Sequence, residues 1–312
     1  MDFVCGGLAA SGACLFSNPF DVLKTRMQLQ GELQAKGQHT VHYRNPFHAG
    51  YVVAKNEGIR GLQKGLGVAM VLHGVRNCVR LGIYQTLENK GFLRDSTGKT
   101  VLYKSALGSA FAGATGAFFG SPLFLIKTQL QSQAARQIAV GTQHGHNSAI
   151  HAIKTIYIQN GITGLWRGVN GTMLRALVGS SAQLTTFAIS KDKLKEIEYL
   201  KKSPLLISLV ASIFSGFIQT IMINPFDVVS TRLYNQGVDA NGKGLLYTGV
   251  VDCFAKIFKS EGVAGIYKGV IANYMRLAPH SLFCLLFWDI LKDLKVRYIT
   301  SSPKRTLLVE NR

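Results

Sequence analysis

Three long stretches of this sequence contain no Asp, Glu, Lys or Arg. They are residues 3–20, 105–126 and 203–226. Each is as long, or nearly as long, as a helix that crosses a hydrocarbon core of about 30 Å. The pattern therefore predicts three apolar membrane helices at similar intervals along the 312 residues.

Each apolar stretch ends in a proline that is followed by a polar motif. The octets PFDVLKTR, PLFLIKTQ and PFDVVSTR begin at Pro19, Pro122 and Pro225, and both intervals between these prolines are 103 residues. A proline inside a helix frees a backbone carbonyl and bends the helix. The three copies predict three repeats whose kinked helices converge at one end of the molecule.

A second motif recurs in the same phase, and it consists of a polar residue and glycine followed by a base and glycine. Its copies are Glu57-Gly58 with Lys64-Gly65, Asn160-Gly161 with Arg167-Gly168, and Glu261-Gly262 with Lys268-Gly269. Residues 46–56, 151–159 and 251–260 are amphipathic and predict helices along the membrane surface. The first glycine should end this surface helix, and the second should open another long helix. These last helices should run roughly to Lys90, Lys195 and Lys295.

Composition agrees with a polytopic membrane protein, since 47% of residues are hydrophobic and only 16% are charged. The net charge of +19 suggests basic loops near anionic lipid or, alternatively, nucleic-acid binding. The bases form no compact stripe, which favours lipid. The five cysteines show no paired spacing, so neither a disulfide nor a metal site is predicted: Cys5, Cys14, Cys78, Cys253 and Cys284. The sequence shows neither a nucleophile with a neighbouring base nor a phosphate-binding glycine loop, so its motifs do not predict an enzyme.

The two motifs in three copies resemble the signature of the mitochondrial carrier family. That resemblance covers nearly the whole chain and implies an all-α membrane protein with six transmembrane helices in three pseudo-threefold repeats and short matrix surface helices. The repeats would be residues 1–100, 101–202 and 203–298, with a flexible tail at 299–312. The family likeness further implies a monomeric, alternating-access transporter of the mitochondrial inner membrane. It also implies cardiolipin phosphates at the amides of Gly65, Gly168 and Gly269, although these glycines could serve packing alone.

The second long helices of the three repeats together hold four arginines deep in the predicted membrane region. They are Arg76, Arg80, Arg175 and Arg276. An arginine at the centre of a membrane helix costs about 2.5 to 3.5 kcal/mol, so these side chains should face water, a partner or a substrate. The middle turns of the same helices hold no acid, which predicts a transported anion as the counter-charge. Snorkelling or bonding to carbonyls is the alternative, especially for Arg76.

His73 and His280 lie at similar depths and have two interpretations. His73 could hold a proton that travels with the anion, or either ring could be a hydrogen-bonded spectator.

The resemblance also bears on the substrate. Arg175-Ala176 lacks both the glycine of nucleotide carriers and the acid of amino-acid carriers at that position.

Small dianions therefore remain as expected substrates. They are oxaloacetate and other dicarboxylates, sulfate and related sulfur oxoanions, as in the oxaloacetate carrier group. The alternatives are a proton-leak or phosphate-type carrier, and a carrier-fold protein that no longer transports. These hypotheses make different predictions for exchange in liposomes.

The family's pairing rule joins the acid of each proline motif to the base of the next repeat and closes the matrix end. The pairs predicted here are Asp21 with Lys127 and Asp227 with Lys24. The third pair would be Phe124 with Ser230, so both charges are missing together, as expected if an unpaired buried charge is costly. The implied brace residues beneath these pairs are Gln28, Gln131 and Tyr234.

The resemblance also implies a second gate at the cytoplasmic end. Its positions are Gln85 with Lys191, Ala188 with Lys292, and Asp289 with Glu88. Only the first of these can form a hydrogen bond, and the last repels unless Lys90 intervenes. We therefore predict a resting state that is closed at the matrix end and open to the cytoplasm.

Overall fold

A computed structural model describes residues 2–34, 40–95, 101–197, 204–239 and 242–300. This part of the chain is nearly all helical and contains no β-strand. The predicted repeat boundaries adjoin residues 96–100 and 198–203, which lie outside the described ranges. Residues 301–312 of the predicted tail also lie outside them.

Each repeat contributes a long helix, a surface helix and a second long helix. In chain order the helices are α1 Asp2–Leu29, α2 Pro46–Leu62, α3 Leu66–Asn89, α4 Leu102–Ser132, α5 Ala149–Gly164, α6 Val169–Lys195, α7 Pro204–Asn235, α8 Val250–Ile266 and α9 Val270–Thr300. A short 3-10 turn, Arg136–Ile138, lies between α4 and α5. The nine described helices thus repeat one pattern three times.

The first long helix of each repeat continues past its proline. Pro19, Pro122 and Pro225 lie inside α1, α4 and α7, and the helices extend to Leu29, Ser132 and Asn235. The apolar stretches therefore cover only part of each helix. The polar residues beyond the prolines stay helical because they find partners inside the molecule, as the site below shows.

The surface helices break at the predicted glycines and then resume for about one turn. Gly58, Gly161 and Gly262 have φ values of 70°, 66° and 66°. A side chain with a Cβ rarely adopts this left-handed conformation, so glycine suits the break. The prediction that helix stops at this glycine is correct locally, but α2, α5 and α8 are longer than predicted.

The long helices form a closed ring. Its order is α1, α3, α4, α6, α7 and α9, with α9 again packed against α1. The helices that carry the repeated proline motif are α1, α4 and α7, called the proline-bearing helices below, and they also contact one another. We call the end where they meet the proline end and the other end of the ring the open end. The predicted convergence of these three helices at one end is confirmed.

Small residues allow α1 to approach α3 closely. A Cβ on Gly74 would lie 2.8 Å from Oγ of Ser11, and one on Gly7 would lie 3.1 Å from the carbonyl oxygen of Gly74. In lipid, such close backbone packing is a main source of helix association. Small residues in α1 therefore hold one seam of the ring.

The outer surface suits a lipid environment. Large apolar side chains such as Phe111, Phe214 and Leu285 are exposed on the outside. By length and composition, four of the described segments are able to cross a membrane: Leu66–Asn89, Leu102–Ser132, Leu206–Asn235 and Val270–Leu294.

Candidate functional site

Two buried ion pairs tie the proline-bearing helices together. Nζ of Lys127 on α4 lies 2.6 Å from Oδ2 of Asp21 on α1, and Nζ of Lys24 on α1 lies 2.6 Å from Oδ2 of Asp227 on α7. All four side chains are buried. Both pairs that the sequence predicted for the matrix gate are therefore present, and both use α1.

The third corner of the ring has aromatic contacts in place of an ion pair. The rings of Phe124 on α4 and Tyr234 on α7 have centroids 5.3 Å apart. Nζ of Lys127 and Cζ of Arg175 each lie 5.4 Å from the Phe124 ring centroid. Ser230 donates to the carbonyl of Phe226 in its own helix. The face of Phe124 thus receives two cations at the corner that lacks an acid.

The three predicted brace residues lie buried beneath this network, with different partners. Gln28 donates to Oδ2 of Asp227 at 3.0 Å. Gln131 donates to Oδ1 of Asn18 at 3.0 Å. The hydroxyl of Tyr234 lies 2.8 Å from the hydroxyls of both Ser121 and Thr172. Of these three side chains, only that of Gln28 forms a described hydrogen bond to an acid or lysine of the two ion pairs between the proline-bearing helices.

The glycines that open α3, α6 and α9 pack directly on these brace residues. Gly65, Gly168 and Gly269 have φ values of 71°, 82° and 72°. An added Cβ would lie 3.2 Å from Gln131, 3.2 Å from Tyr234 and 3.1 Å from Gln28, respectively. The start of each second long helix is therefore fitted against the neighbouring repeat.

Two of the four arginines reach the acids of the proline-end network. Nε of Arg276 lies 3.4 Å from Oδ1 of Asp21, and Nη1 of Arg175 lies 3.5 Å from Oδ1 of Asp227. The expectation that no acid neutralises the arginines is wrong for this pair. The acids come from α1 and α7, so an inspection of the arginine-bearing helices alone does not find them.

These arginine contacts are looser than the lysine contacts. Nε of Arg175, Nε of Arg276 and Oδ1 of Asp227 are buried without a hydrogen-bond partner. Arg276 also reaches Oδ1 of Asn273, at 3.5 Å. Each aspartate therefore holds a lysine tightly through one oxygen and an arginine loosely through the other.

Arg76 and Arg80 form no ion pair with a described residue. Arg76 lies within electrostatic reach of Arg80, Arg175 and Arg276. Both face α4 across a close contact, where an added Cβ on Gly116 would lie 3.0 Å from the carbonyl oxygen of Arg76. The structure thus brings all four predicted arginines into one region, the arginine cluster.

His73 and His280 lie beside this cluster. Their ring centroids are 4.7 Å apart, and Nδ1 of His280 lies 3.2 Å from Oγ of Ser17. His73 is buried, and its Nδ1 has no hydrogen-bond partner. His280 therefore has the partner expected of a structural histidine, and one nitrogen of His73 does not.

Among the described residues, the open end shows none of the contacts predicted to close it. Gln85, Asp289 and Lys292 are exposed, and no hydrogen bond joins Gln85 to Lys191 in the described part of the chain. Lys191 lies over the Phe187 ring, and Lys292 lies over the Trp288 ring. Glu88 is 3.9 Å from Arg94. In the described part of the chain, the predicted gate residues are therefore paired at the proline end and not paired with one another at the open end.

The sequence inspection missed two buried charge clusters outside the membrane helices' centres. Glu57 pairs with Arg26 at 2.8 Å and Lys64 at 2.7 Å. Glu261 makes the equivalent pairs with Arg232 and Lys268, each at 2.5 Å. The signal was available, because these are equivalent repeat positions.

Hydrogen bonds determine the charge of both acids in these clusters. Burial alone would raise the pKa of Glu57 and Glu261, but hydrogen bonds from the neighbouring arginine and lysine hold each pKa below its usual range. Both carboxylates therefore stay ionised. In the second repeat the corresponding residues are Gln129, Asn160 and Arg167.

Comparison with known proteins identifies the family. The sequence profile of the Mitochondrial carrier protein family matches residues 1–94, 98–198 and 201–298. The chain belongs to the mitochondrial carrier family. This mitochondrial carrier is accordingly an all-α, six-span protein of the mitochondrial inner membrane, and it is a transporter.

Three relatives indicate the carrier's neighbours within the family. Solute carrier family 25 member 35 of Homo sapiens is 47% identical over 94% of this chain and 98% of its own length. The Mitochondrial oxaloacetate transport protein of Saccharomyces cerevisiae is 40% identical over 96% of this chain and 90% of its own. The Mitochondrial citrate transporter E of Aspergillus niger is 37% identical over 98% of both.

Proposed function

We propose that this carrier exchanges small dianions across the mitochondrial inner membrane by alternating access. The substrates would be oxaloacetate and other dicarboxylates, together with sulfate and related sulfur oxoanions. The observation that carries the proposal is the arginine cluster. Arg76, Arg80, Arg175 and Arg276 share one region. Of these, Arg175 and Arg276 each contact one aspartate loosely, and the other two have no ion pair with a described residue.

Charge balance supports an anionic substrate. The basic groups of the cluster and the adjoining network are four arginines with Lys24 and Lys127, and the acids are Asp21 and Asp227. Positive charge in excess attracts anions, and guanidinium groups bind carboxylate and sulfate oxygens in pairs. The names of the yeast and Aspergillus relatives, oxaloacetate and citrate transporters, belong to carriers of organic acids.

The geometry also supports a link between binding and gating. In this mechanism the bound dianion takes Arg175 and Arg276 from Oδ1 of Asp227 and of Asp21, because neither contact is a hydrogen bond. Each aspartate then keeps only its lysine. Loss of the second counter-charge weakens the proline-end network, which corresponds to the matrix gate, and favours its opening.

The test is exchange by the purified protein in liposomes. Vesicles preloaded with one anion are given labelled oxaloacetate, malonate, sulfate, phosphate, ADP or glutamate. We expect exchange limited to dianions. Arg276→Ala should slow it about 10- to 100-fold at low substrate concentration, since a hydrogen-bonded charge contact contributes about 1.5–3 kcal/mol.

The matched control is Arg136→Ala, which removes an exposed arginine of the loop after α4 and should leave exchange unchanged. Proton flux without a counter-substrate would favour the proton-leak alternative, and exchange of phosphate would favour a phosphate-type carrier. No exchange by folded protein would overturn the proposal in favour of a carrier fold that no longer transports.

We also propose cardiolipin as a bound lipid of the monomeric carrier. A pocket of about 460 Å³ opens beside Gly65 between α3 and α4, and its wall is largely apolar. The free amides at a helix start favour a phosphate, and the apolar wall suits an acyl chain. Gly168 and Gly269 occupy the equivalent places in the other repeats. Native mass spectrometry of protein purified in mild detergent would test for the retained lipid.

A further inference from the structure

Three helices bring a thiol and two imidazoles together beside the arginine cluster. Cys14 lies on α1, His73 on α3 and His280 on α9, and one ligand atom from each lies within 4.8 Å of the other two. The residues are far apart in sequence, so no motif spacing reveals them. This group is the only such cluster of three in the described part of the chain.

Two of these side chains are almost completely buried, and one has an unused polar atom. Cys14 is 1% exposed and His73 is 4% exposed. Nδ1 of His73 has no hydrogen-bond partner in the protein. A buried polar atom of this kind is costly unless another group satisfies it. Partial exposure of His280 leaves a path to solvent.

We propose that Cys14, His73 and His280 form a binding site for a transition-metal ion of the zinc class. Thiolate and imidazole are the ligands that Zn²⁺ prefers, at about 2.3 Å and 2.0–2.1 Å. A small inward adjustment of the side chains would bring their ligand atoms to these distances. Water would fill the fourth position, and the Cys14 thiol would lose its proton to water on binding.

The charges around the site set its strength. Arg76, Arg276 and Lys127 lie within electrostatic reach and oppose a cation, whereas Asp21 favours it. The thiolate formed on binding favours it further. The site should therefore bind metal reversibly, with lower affinity than a structural zinc site that lacks nearby cations.

Metal binding would also affect transport, and this part of the inference depends on the proposed exchange function. A bound ion would join α1, α3 and α9 beside the ion pair of Asp21 and Lys127. It would hold the proline end in the closed arrangement seen here. Zn²⁺ should therefore inhibit anion exchange, and a chelator should restore it.

The binding test uses the full-length protein in detergent and Zn²⁺ alone, so it does not require transport. We expect a raised melting temperature that EDTA reverses. Cys14→Ser, His73→Gln and His280→Gln should each weaken binding about tenfold or more, since even indirect partners of metal ligands contribute that much. The control is Cys253→Ser, which changes a buried cysteine in a different cluster and should bind as the wild type does.

Two results would overturn the site. One is absence of Zn²⁺ binding by the wild type, and the other is an affinity of all three variants equal to that of the wild type. If a variant fails to fold, Co²⁺ bound to the wild type decides the question. Thiolate-to-cobalt absorption is expected, and its absence contradicts ligation by Cys14. Loss of Zn²⁺ inhibition in Cys14→Ser vesicles that still exchange anions would support the transport effect, whereas full inhibition of that variant would overturn it.

Discussion

Arg232 is a completely buried arginine, and its position depends on one acid. Its Nη1 and Nη2 reach the two carboxylate oxygens of Glu261, at 2.5 and 2.9 Å. Its Nε donates to the carbonyl of Gln28. A buried charge with this many partners is tolerated, but one left alone is costly. Arg26 and Glu57 repeat the arrangement in the first repeat.

We predict that Glu261→Gln destabilises the carrier by about 3–5 kcal/mol, because it leaves the Arg232 guanidinium buried without its counter-charge. Thermal unfolding in detergent, followed by a conformational probe, would measure the loss. The matched control is Asp252→Asn in the same surface helix, whose ion pair with Lys256 is exposed and should contribute little. Equal effects of the two changes would contradict the prediction.

At the residue scale, sequence reasoning succeeded where a partner is fixed by repeat symmetry. The pairs of Asp21 with Lys127 and of Lys24 with Asp227 followed from motif positions and family likeness. The contact between Asp21 and Arg276 did not, because Arg276 lies on the neighbouring helix α9 outside both repeated motifs, so no repeat rule pairs it with Asp21. Such contacts depend on how far helices bend and turn, which local patterns do not determine.

At the element scale, the loop between α4 and α5 is fastened by histidines. Nε2 of His144 lies 2.9 Å from the carbonyl of Asn235 at the end of α7, and Nε2 of His146 lies 3.0 Å from Oε1 of Gln129. The rings of His144 and His146 are stacked, and His146 also contacts His151. This loop therefore joins two repeats through neutral imidazoles.

This loop predicts a specific dependence of stability on pH. The pKa of His144 is lowered from 6.5 to about 4, mainly by burial; the hydrogen bond to Asn235 opposes this shift, and nearby His146 and Arg167 add to it. The unfolded chain therefore binds a proton that the folded loop does not. The free energy of unfolding should fall as pH decreases from 6.5 towards about 4.

Melting temperatures measured across that interval would test the prediction. His144→Gln should reduce the loss of stability on acidification, since glutamine does not titrate there. His48→Gln, in the surface helix α2, serves as the control and should keep the wild-type profile. A His144→Gln profile parallel to that of the wild type would show that the loop does not control this dependence.

The sequence predicted some helix boundaries better than others, and the difference has a physical reason. The starts of α3, α6 and α9 are fixed by glycines with positive φ, so the sequence located them well. The ends of α1, α4 and α7 were placed too early, because the apolar stretch is shorter than the helix. Beyond Pro19, Pro122 and Pro225, tertiary ion pairs and hydrogen bonds keep polar residues helical.

At the scale of the whole molecule, the two ends differ in a way that predicts access. The proline end is closed by buried ion pairs, and the predicted residues of the open end are largely exposed. In a variant without native cysteines, Asp289→Cys should react with an impermeant thiol reagent added from the cytoplasmic side without substrate. Ser230→Cys should react far more slowly, since Ser230 is 0% exposed.

Added substrate should raise the reactivity of Ser230→Cys relative to the substrate-free protein, because exchange requires the proline end to open. The control for reagent access is a cysteine at Gln85, which is exposed at the open end. Equal labelling of positions 230 and 289 without substrate would contradict a resting state closed at the proline end.

The aromatic corner between Phe124 and Tyr234 has a consequence for the shape of that opening. Through Asp21 and Lys24, α1 forms an ion pair with α4 and another with α7. In the described network, no ion pair joins α4 to α7 directly. We therefore expect the proline end to open asymmetrically, by separation of α4 from α7 while each stays paired with α1. Three equivalent ion pairs would instead let the three helices move apart evenly.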